Sequence, residues 1–521
     1  MTEARSEKKN TPKSRVQKSE RNLKYGSVYQ IVYLFSMFAI RVTILKFLGI
    51  EMLSINNLFS QVVTLLSLTE AGLSQCVTYR LYKPLADSNE EKLSEILTFY
   101  KKSYRVIAVA MFLIGLCLIP VLPSLITKIE VDMKYVTFVY ILFLFQTSAG
   151  YFFTSRFSIL WADNKTYLLS KYNLIFRSVF FALDMLCICV IQNYTAFLIC
   201  EITYTLSYYA FMSHKVERMY PYILEERELP KNEQKSLLLD VRRMFVGKVS
   251  GKVLNSTDNI LISKLVGTNL VGVYGQYSMF LNGFLSVFAQ INEAVVGSVG
   301  NTIAVESKLK AKSTYDKLHY FFFVFGAFCS CCLFAGVNPF LKSIIGKQYL
   351  LDMDVIATIC VVLFFEILKM PLYTFFNAAG MFKEEQYISL LSCIFNLVSS
   401  VILGLKYGMI GIFYGTILSL IIAVWLKVME MGKKKFDTPY LKMEVEVFGY
   451  LLLFLVQLGI TWFLTKNISF ELGIVEFLVK CVIAGIVSMS ISILPFIRTD
   501  ACRYWMTYLT GKFGNIIRKG K

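Results

Sequence analysis

The sequence predicts an all-α polytopic membrane protein, with about fourteen transmembrane helices in two six-helix lobes plus two C-terminal helices. Composition is the first reason. Of 521 residues, 56% are hydrophobic and only 17% charged, and the mean hydropathy is +0.56. A soluble chain of this length needs far more charged surface to face water. The second reason is length patterning: apolar runs near twenty residues recur along the chain, the span that roughly 30 Å of hydrocarbon demands at about 1.5 Å per residue. The third is the side on which positive charge falls between those runs.

A polar, basic tail occupies residues 1–26, with no small-residue cleavage site after it, so a cleaved leader is not expected. Six apolar segments near 27–45, 54–77, 106–127, 135–155, 172–191 and 194–213 form an N-lobe, 27–213. A cytoplasmic linker, 214–243, follows. Six more segments, near 244–266, 272–299, 318–341, 355–377, 386–405 and 409–430, form a C-lobe, 244–430. Segments near 443–465 and 472–495, with a basic cytoplasmic tail, make up 431–521. The least apolar segment is 244–266, which carries Lys248, Lys252, Asp258 and Lys264.

With an inside N-terminus and every segment crossing, only Lys46, Lys128, Lys134, Lys342, Lys347, Lys406 and Lys466 of the 54 Lys and Arg fall in outside loops. Most of the others crowd the inside loops, as the positive-inside rule requires of an even number of spans with both termini cytoplasmic. The net charge of +18 therefore faces anionic membrane lipids and argues for no nucleic-acid partner. Ten of the 12 cysteines lie inside apolar runs as small hydrophobes, and there are 2 histidines. No catalytic or metal site is expected.

The two six-segment blocks look like repeats. A single shift pairs Lys46 with Lys264, Gly49 with Gly267, Phe157 with Phe375 and Lys165 with Lys383. Both blocks start inside, so the repeats are parallel, related by an axis along the membrane normal.

Local phrases carry a resemblance. They are Lys46-Phe-Leu-Gly-Ile-Glu, Leu66-Ser-Leu-Thr-Glu-Ala-Gly-Leu-Ser, Tyr79-Arg-Leu-Tyr-Lys-Pro-Leu-Ala, Ala162-Asp-Asn-Lys-Thr-Tyr, and Thr257-Asp-Asn-Ile-Leu-Ile-Ser with Val271-Gly-Val-Tyr. In this order, and with a six-plus-six-plus-two layout, the chain resembles the multidrug/oligosaccharidyl-lipid/polysaccharide exporter superfamily, and within it the Wzx-like polysaccharide flippases. The resemblance implies a MATE/MurJ-like fold in a bacterial cytoplasmic membrane, whose lobes rock about a central cavity. It implies a polyprenyl-pyrophosphate-linked oligosaccharide as the transported partner, and polysaccharide assembly enzymes as candidate associates. One chain holds both repeats, so a monomer is expected.

A charge at mid-membrane costs about 2.5–3.5 kcal/mol on insertion scales, so each one asks for a reason. Arg41, Arg177 and Lys369 are the candidates for gripping a pyrophosphate headgroup, because fixed cations stabilise phosphate in low dielectric. The plainer alternatives are that Arg177 snorkels to the headgroups and that Lys369 pairs with Glu366 three residues earlier. Lys480 and Glu476 have the same option at i,i+4 spacing. Asp258, Glu70 and Glu293 are the ion-coupling or gating candidates, since a buried carboxylate can take H⁺ or hold Na⁺. For Asp258 the competing reading is a bridge to Arg41; for Glu70 and Glu293 it is bonding to loop amides. Asp184, Glu201 and Glu366 are further intramembrane acids. No cofactor is expected beyond such a coupling ion.

A flippase is the leading reading. A drug or small-metabolite antiporter on the same scaffold is the alternative. A membrane glycan polymerase is more remote, since it would need a large outside loop with catalytic side chains.

Overall fold

The computed structural model describes residues 12–70, 73–127, 130–239, 241, 257–436 and 438–508. These residues are helical with short connections, and no strand occurs among them. The chain forms two compact units, Met1–Gly272 and Val273–Lys521.

In the first unit, α1 (Pro12–Phe47), α2 (Gly49–Leu66), α3 (Leu73–Ala86), α4 (Glu90–Cys117), α5 (Met133–Thr154), α6 (Thr166–Cys189) and α7 (Tyr194–Met219) follow in order. Local sequence sets their ends. Asn89, Asp132 and Asn193 cap α4, α5 and α7 by accepting backbone N–H groups of Lys92, Lys134 and Ala196. Pro120 and Pro123 end α4 by removing donors, and the chain passes into a 3-10 turn and the short helix Leu122–Leu125. The end of that short helix is held by the segment after residue 257. Ser263 Oγ donates to Leu125 O at 2.5 Å, Thr127 Oγ1 to Ser263 O at 2.6 Å, and Thr127 N–H to Thr268 Oγ1 at 2.8 Å.

α8 (Thr268–Val305) leads into the second unit, followed by α9 (Lys308–Ile345), α10 (Met353–Leu368), α11 (Met370–Ala378), α12 (Phe382–Met431), α13 (Tyr440–Thr465) and α14 (Gly473–Ile493). α9 is the centre of this unit, packing against α14, α10 and α13. Its interface with α13 and with the 3-10 turn after α14 is aromatic: Phe323 stacks on Tyr450 at 4.2 Å, and Tyr320 lies 5.6 Å from Phe496. α10 and α11 are one rod broken at Lys369. Pro371 offers no N–H and crowds the carbonyl four residues back, so the helix stops and restarts there.

α12 folds back on itself at Gly408 (φ 62°, ψ −138°). Its limbs pack so closely that a Cβ on Gly411 would lie 2.0 Å from Leu403 O, and one on Gly415 2.4 Å from Ser400 N. Ser392 and Ser400 of the first limb donate to Ser419 O and Ile412 O of the second.

Positive φ recurs at corresponding places of the two predicted blocks. Positive φ occurs at Gly49 and Gly267, between the first and second predicted segments of each block. It occurs at Asn164 and Gly380 between the fourth and fifth, and at Gln192 and Gly408 between the fifth and sixth. Among the described residues, nine helical stretches are long and apolar enough to cross a membrane. One of them, Lys383–Phe436, contains both limbs of α12 and so covers two of the predicted segments. Most of predicted segment 244–266 lies outside the described residues.

Candidate functional site

α6 is mostly half-buried, with Val179, Leu183 and Leu186 exposed on its outer surface. Its buried side chains are Arg177, Asp184 and Ile188, a single stripe down one face. Two of the three are charged, which is costly unless they are paired. Arg177 Nη1 donates to Glu201 Oε1 of α7 at 2.7 Å. Its Nη2 lies 3.7 Å from Asp184 Oδ2, one side of a looser ion pair. The guanidinium sits over the Tyr204 ring, 5.3 Å from its centroid. Tyr204 OH donates to Asn173 Oδ1, and Asn173 Nδ2 donates to Tyr29 OH of α1 at 3.1 Å. A polar chain thus links α1, α6 and α7 inside the first unit.

This arrangement corrects the snorkelling alternative for Arg177. Its side chain is only 3% exposed and is turned into the protein, not out to headgroups. Arg177 Nε and Nη2 and both Asp184 oxygens have no hydrogen-bond partner among the described residues. Two acids around one base leave the cluster formally negative.

Lys369 occupies the break between α10 and α11, where a cation also faces the C-terminal end of a helix dipole. The expected intrahelical pair is present, with Lys369 Nζ 2.5 Å from Glu366 Oε1. A second buried cation stands beside it. Lys427 of α12 is fully buried, pairs with Glu385, and lies 3.0 Å from the Tyr373 ring centroid. Tyr373 also lies 5.3 Å from Lys369, so one ring is shared by two ammonium groups. Lys427 and Glu385 are missed by sequence reasoning because each stands near the end of an apolar segment, where a charge needs no explanation. The fold of α12 brings those ends together.

The other candidates are scattered. Arg41 is part-buried on α1, and Asp258 is buried beside buried Asn259 at the start of the helical stretch before Gly267. Glu70 ends a 3-10 turn and accepts a hydrogen bond from Tyr104 OH at Oε2, 2.7 Å; the loop residues 71 and 72, whose amides were the expected partners, lie outside the described residues. Tyr104 packs edge-on to Tyr100 at 4.5 Å and lies 5.6 Å from Tyr151. The side chain of Glu293, on α8, lies outside the described residues. Among the described residues no three His, Cys, Asp or Glu gather to hold a metal ion.

Residues 246–402 match the MatE family. The inward closed conformation of lipid II flippase MurJ superposes with a TM-score of 0.63, covering 90% of this chain and 98% of that one at 17% identity. The fold is that of the MATE and MurJ transporters. An inward-facing multidrug resistance MATE family transporter of the MOP superfamily gives a TM-score of 0.61 at 15% identity, covering 76% of this chain and 94% of its own. The Vibrio cholerae MATE transporter VcmN, in its bent form, gives 0.53 at 15% identity, covering 84% and 99%. No curated protein sequence matches the chain. The expected architecture, helical and MATE/MurJ-like, is therefore the observed one.

Proposed function

We propose that this protein is a flippase that carries polyprenyl-pyrophosphate-linked oligosaccharide repeat units from the cytoplasmic to the outer leaflet of a bacterial cytoplasmic membrane. It works by alternating access, with both termini cytoplasmic and no covalent chemistry, and it supplies surface polysaccharide assembly. The observation that carries this reading is Arg177. It is a guanidinium held inside an otherwise lipid-facing helix with two N–H-bearing nitrogens, Nε and Nη2, free of hydrogen bonds among the described residues. A planar fork with unused donors suits phosphate oxygens, and burial strengthens the attraction. Arg41 and Lys369 are the further headgroup contacts. The fold shared with a solved lipid II flippase over 90% of this chain is compatible with this reading. The working unit is a monomer, and polysaccharide assembly enzymes are its proposed neighbours.

One observation favours the antiporter alternative. The Arg177, Asp184 and Glu201 cluster carries a net negative charge with unsatisfied carboxylate oxygens, an arrangement that attracts cations. The same cluster accommodates a coupling H⁺ or Na⁺ in the flippase, with Asp258, Glu70 and Glu293 as the other ion-coupling or gating candidates.

Depletion of the protein in its native cell, followed by exofacial labelling of polyprenyl-linked glycans, tests the proposal. The expected result is accumulation on the cytoplasmic leaflet and loss of surface polysaccharide. Normal surface glycan without a trapped intermediate, in a cell with no second flippase, would move the antiporter to first place.

A further inference from the structure

The second unit holds a cavity of about 270 Å³ at the ends of α9, α13 and α14. Three lysines line it: Lys342 from the last turn of α9, Lys466 just after α13, and Lys480 from α14. The single carboxylate among the lining residues, Glu476, is 2.7 Å from Lys480 Nζ and accepts a long 3.4 Å bond from Phe470 N–H. One base and one acid are thereby neutralised. Lys342 and Lys466 have no ion-pair partner among the described residues. Lys466 is held over the rings of Trp462 and Phe463, at 4.8 and 4.9 Å from their centroids.

The cavity is more than a solvated surface on two grounds. Only seven lysines fall outside in the predicted topology, the face where the positive-inside bias disfavours them, and two of those seven meet an intramembrane lysine in this one cavity. A charge kept against that bias calls for a ligand. The cavity also borders a lipid-facing wall. Phe463 and Leu464 of α13 are 64% and 46% exposed, and Ile474 and Leu478 of α14 are 60% and 55% exposed. Trp462, itself exposed, marks the depth at which polar headgroups begin.

We propose that this cavity binds the phosphodiester headgroup of an anionic membrane phospholipid, with its acyl chains lying along the exposed faces of α13 and α14. Lys342 and Lys466 supply the charge. Glu476 orients Lys480 and leaves the cavity with a formal excess of two positive charges. The ligand is a resident lipid and not the transported cargo.

The test is mass spectrometry of the full-length protein released from nanodiscs of phosphatidylcholine and phosphatidylglycerol, counting the lipids retained. Wild type is expected to keep phosphatidylglycerol in preference to phosphatidylcholine. Lys342→Gln and Lys466→Gln each weaken that preference about fivefold, and the double variant about thirtyfold. The double Lys→Arg variant keeps it, and Lys406→Gln, an outside lysine elsewhere, leaves it unchanged. Equal retention of the two lipids by wild type, or undiminished preference in the double Lys→Gln variant, would overturn the proposal. Displacement of the bound lipid by equimolar inorganic phosphate would overturn it in favour of a free-phosphate site.

Discussion

Arg177 Nη1 stands 2.7 Å from Glu201 Oε1 across the α6–α7 interface, while Nη2 of the same guanidinium lies 3.7 Å from Asp184 on its own helix. The base is what makes two buried acids tolerable, and their energies cannot be assigned one residue at a time.

Removing Arg177 leaves both carboxylates uncompensated. Arg177→Ala is expected to destabilise the first unit by about 3–5 kcal/mol, the usual cost of breaking a buried ion pair from one side. Adding Glu201→Gln to that variant recovers part of the loss. Thermal unfolding of the purified variants in detergent measures both effects, and additive losses would contradict the coupling.

Lys427 is buried with Glu385 as its ion-pair partner. Glu385→Gln is therefore expected to cost a few kcal/mol of stability, while Glu384→Gln, whose partner Lys434 is half-exposed, costs under about 1 kcal/mol. The comparison, made by the same unfolding measurement, separates burial from charge, since neighbouring residues of one type are altered.

The linker after α7 is held to α4 by charge. Lys101 pairs with Glu226 at 2.6 Å and Lys102 with Glu228 at 2.8 Å, and these lysines hold both carboxyls below the usual carboxylate range. A depressed acid stabilises docking above its free-state value, about 4.3 for Glu, and that contribution is lost as pH falls through the depressed values. Hydrogen exchange of residues 221–236 is expected to rise below about pH 4 and, at neutral pH, to rise with salt, because exposed pairs are screened. Exchange that ignores both would show that uncharged contacts hold the linker, among them Ser94 donating to Glu225 O and the buried side chains of Leu229 and Leu237.

Gly411 has no room for a side chain, since the obstructing atoms belong to the backbone of the facing limb. Gly411→Ala is expected to cost at least about 1–3 kcal/mol by forcing the limbs apart. Gly449→Ala on α13, where a new Cβ meets nothing within 4 Å, is expected to be neutral or slightly stabilising. Expression level and unfolding temperature report the difference.

Most helix positions were legible in the sequence because a bilayer imposes one length and one composition on a crossing segment, but predicted segment 54–77 is broken by the 3-10 turn Ser67–Glu70. The Gly49 and Gly267 correspondence was legible for a related reason, since a left-handed residue between two helices favours glycine and so survives as an identity. The Lys369–Glu366 and Lys480–Glu476 pairs followed from helical spacing. Contacts between distant segments were not legible. That Arg177 meets Glu201, or that Lys427 meets Glu385 and shares Tyr373 with Lys369, depends on which faces of separate helices are turned together, and a one-dimensional pattern does not record that rotation. The phenol on Glu70 was missed for the same reason.

The left-handed residues at Gln192 and Gly408 bear on how either unit can move. Only four residues separate α6 from α7, and Gly408 alone separates the limbs of α12. Connections this short carry no slack, so each hairpin is mechanically a single part. Any displacement has to carry such a hairpin whole, together with the polar contacts inside it, Arg177 to Glu201 among them.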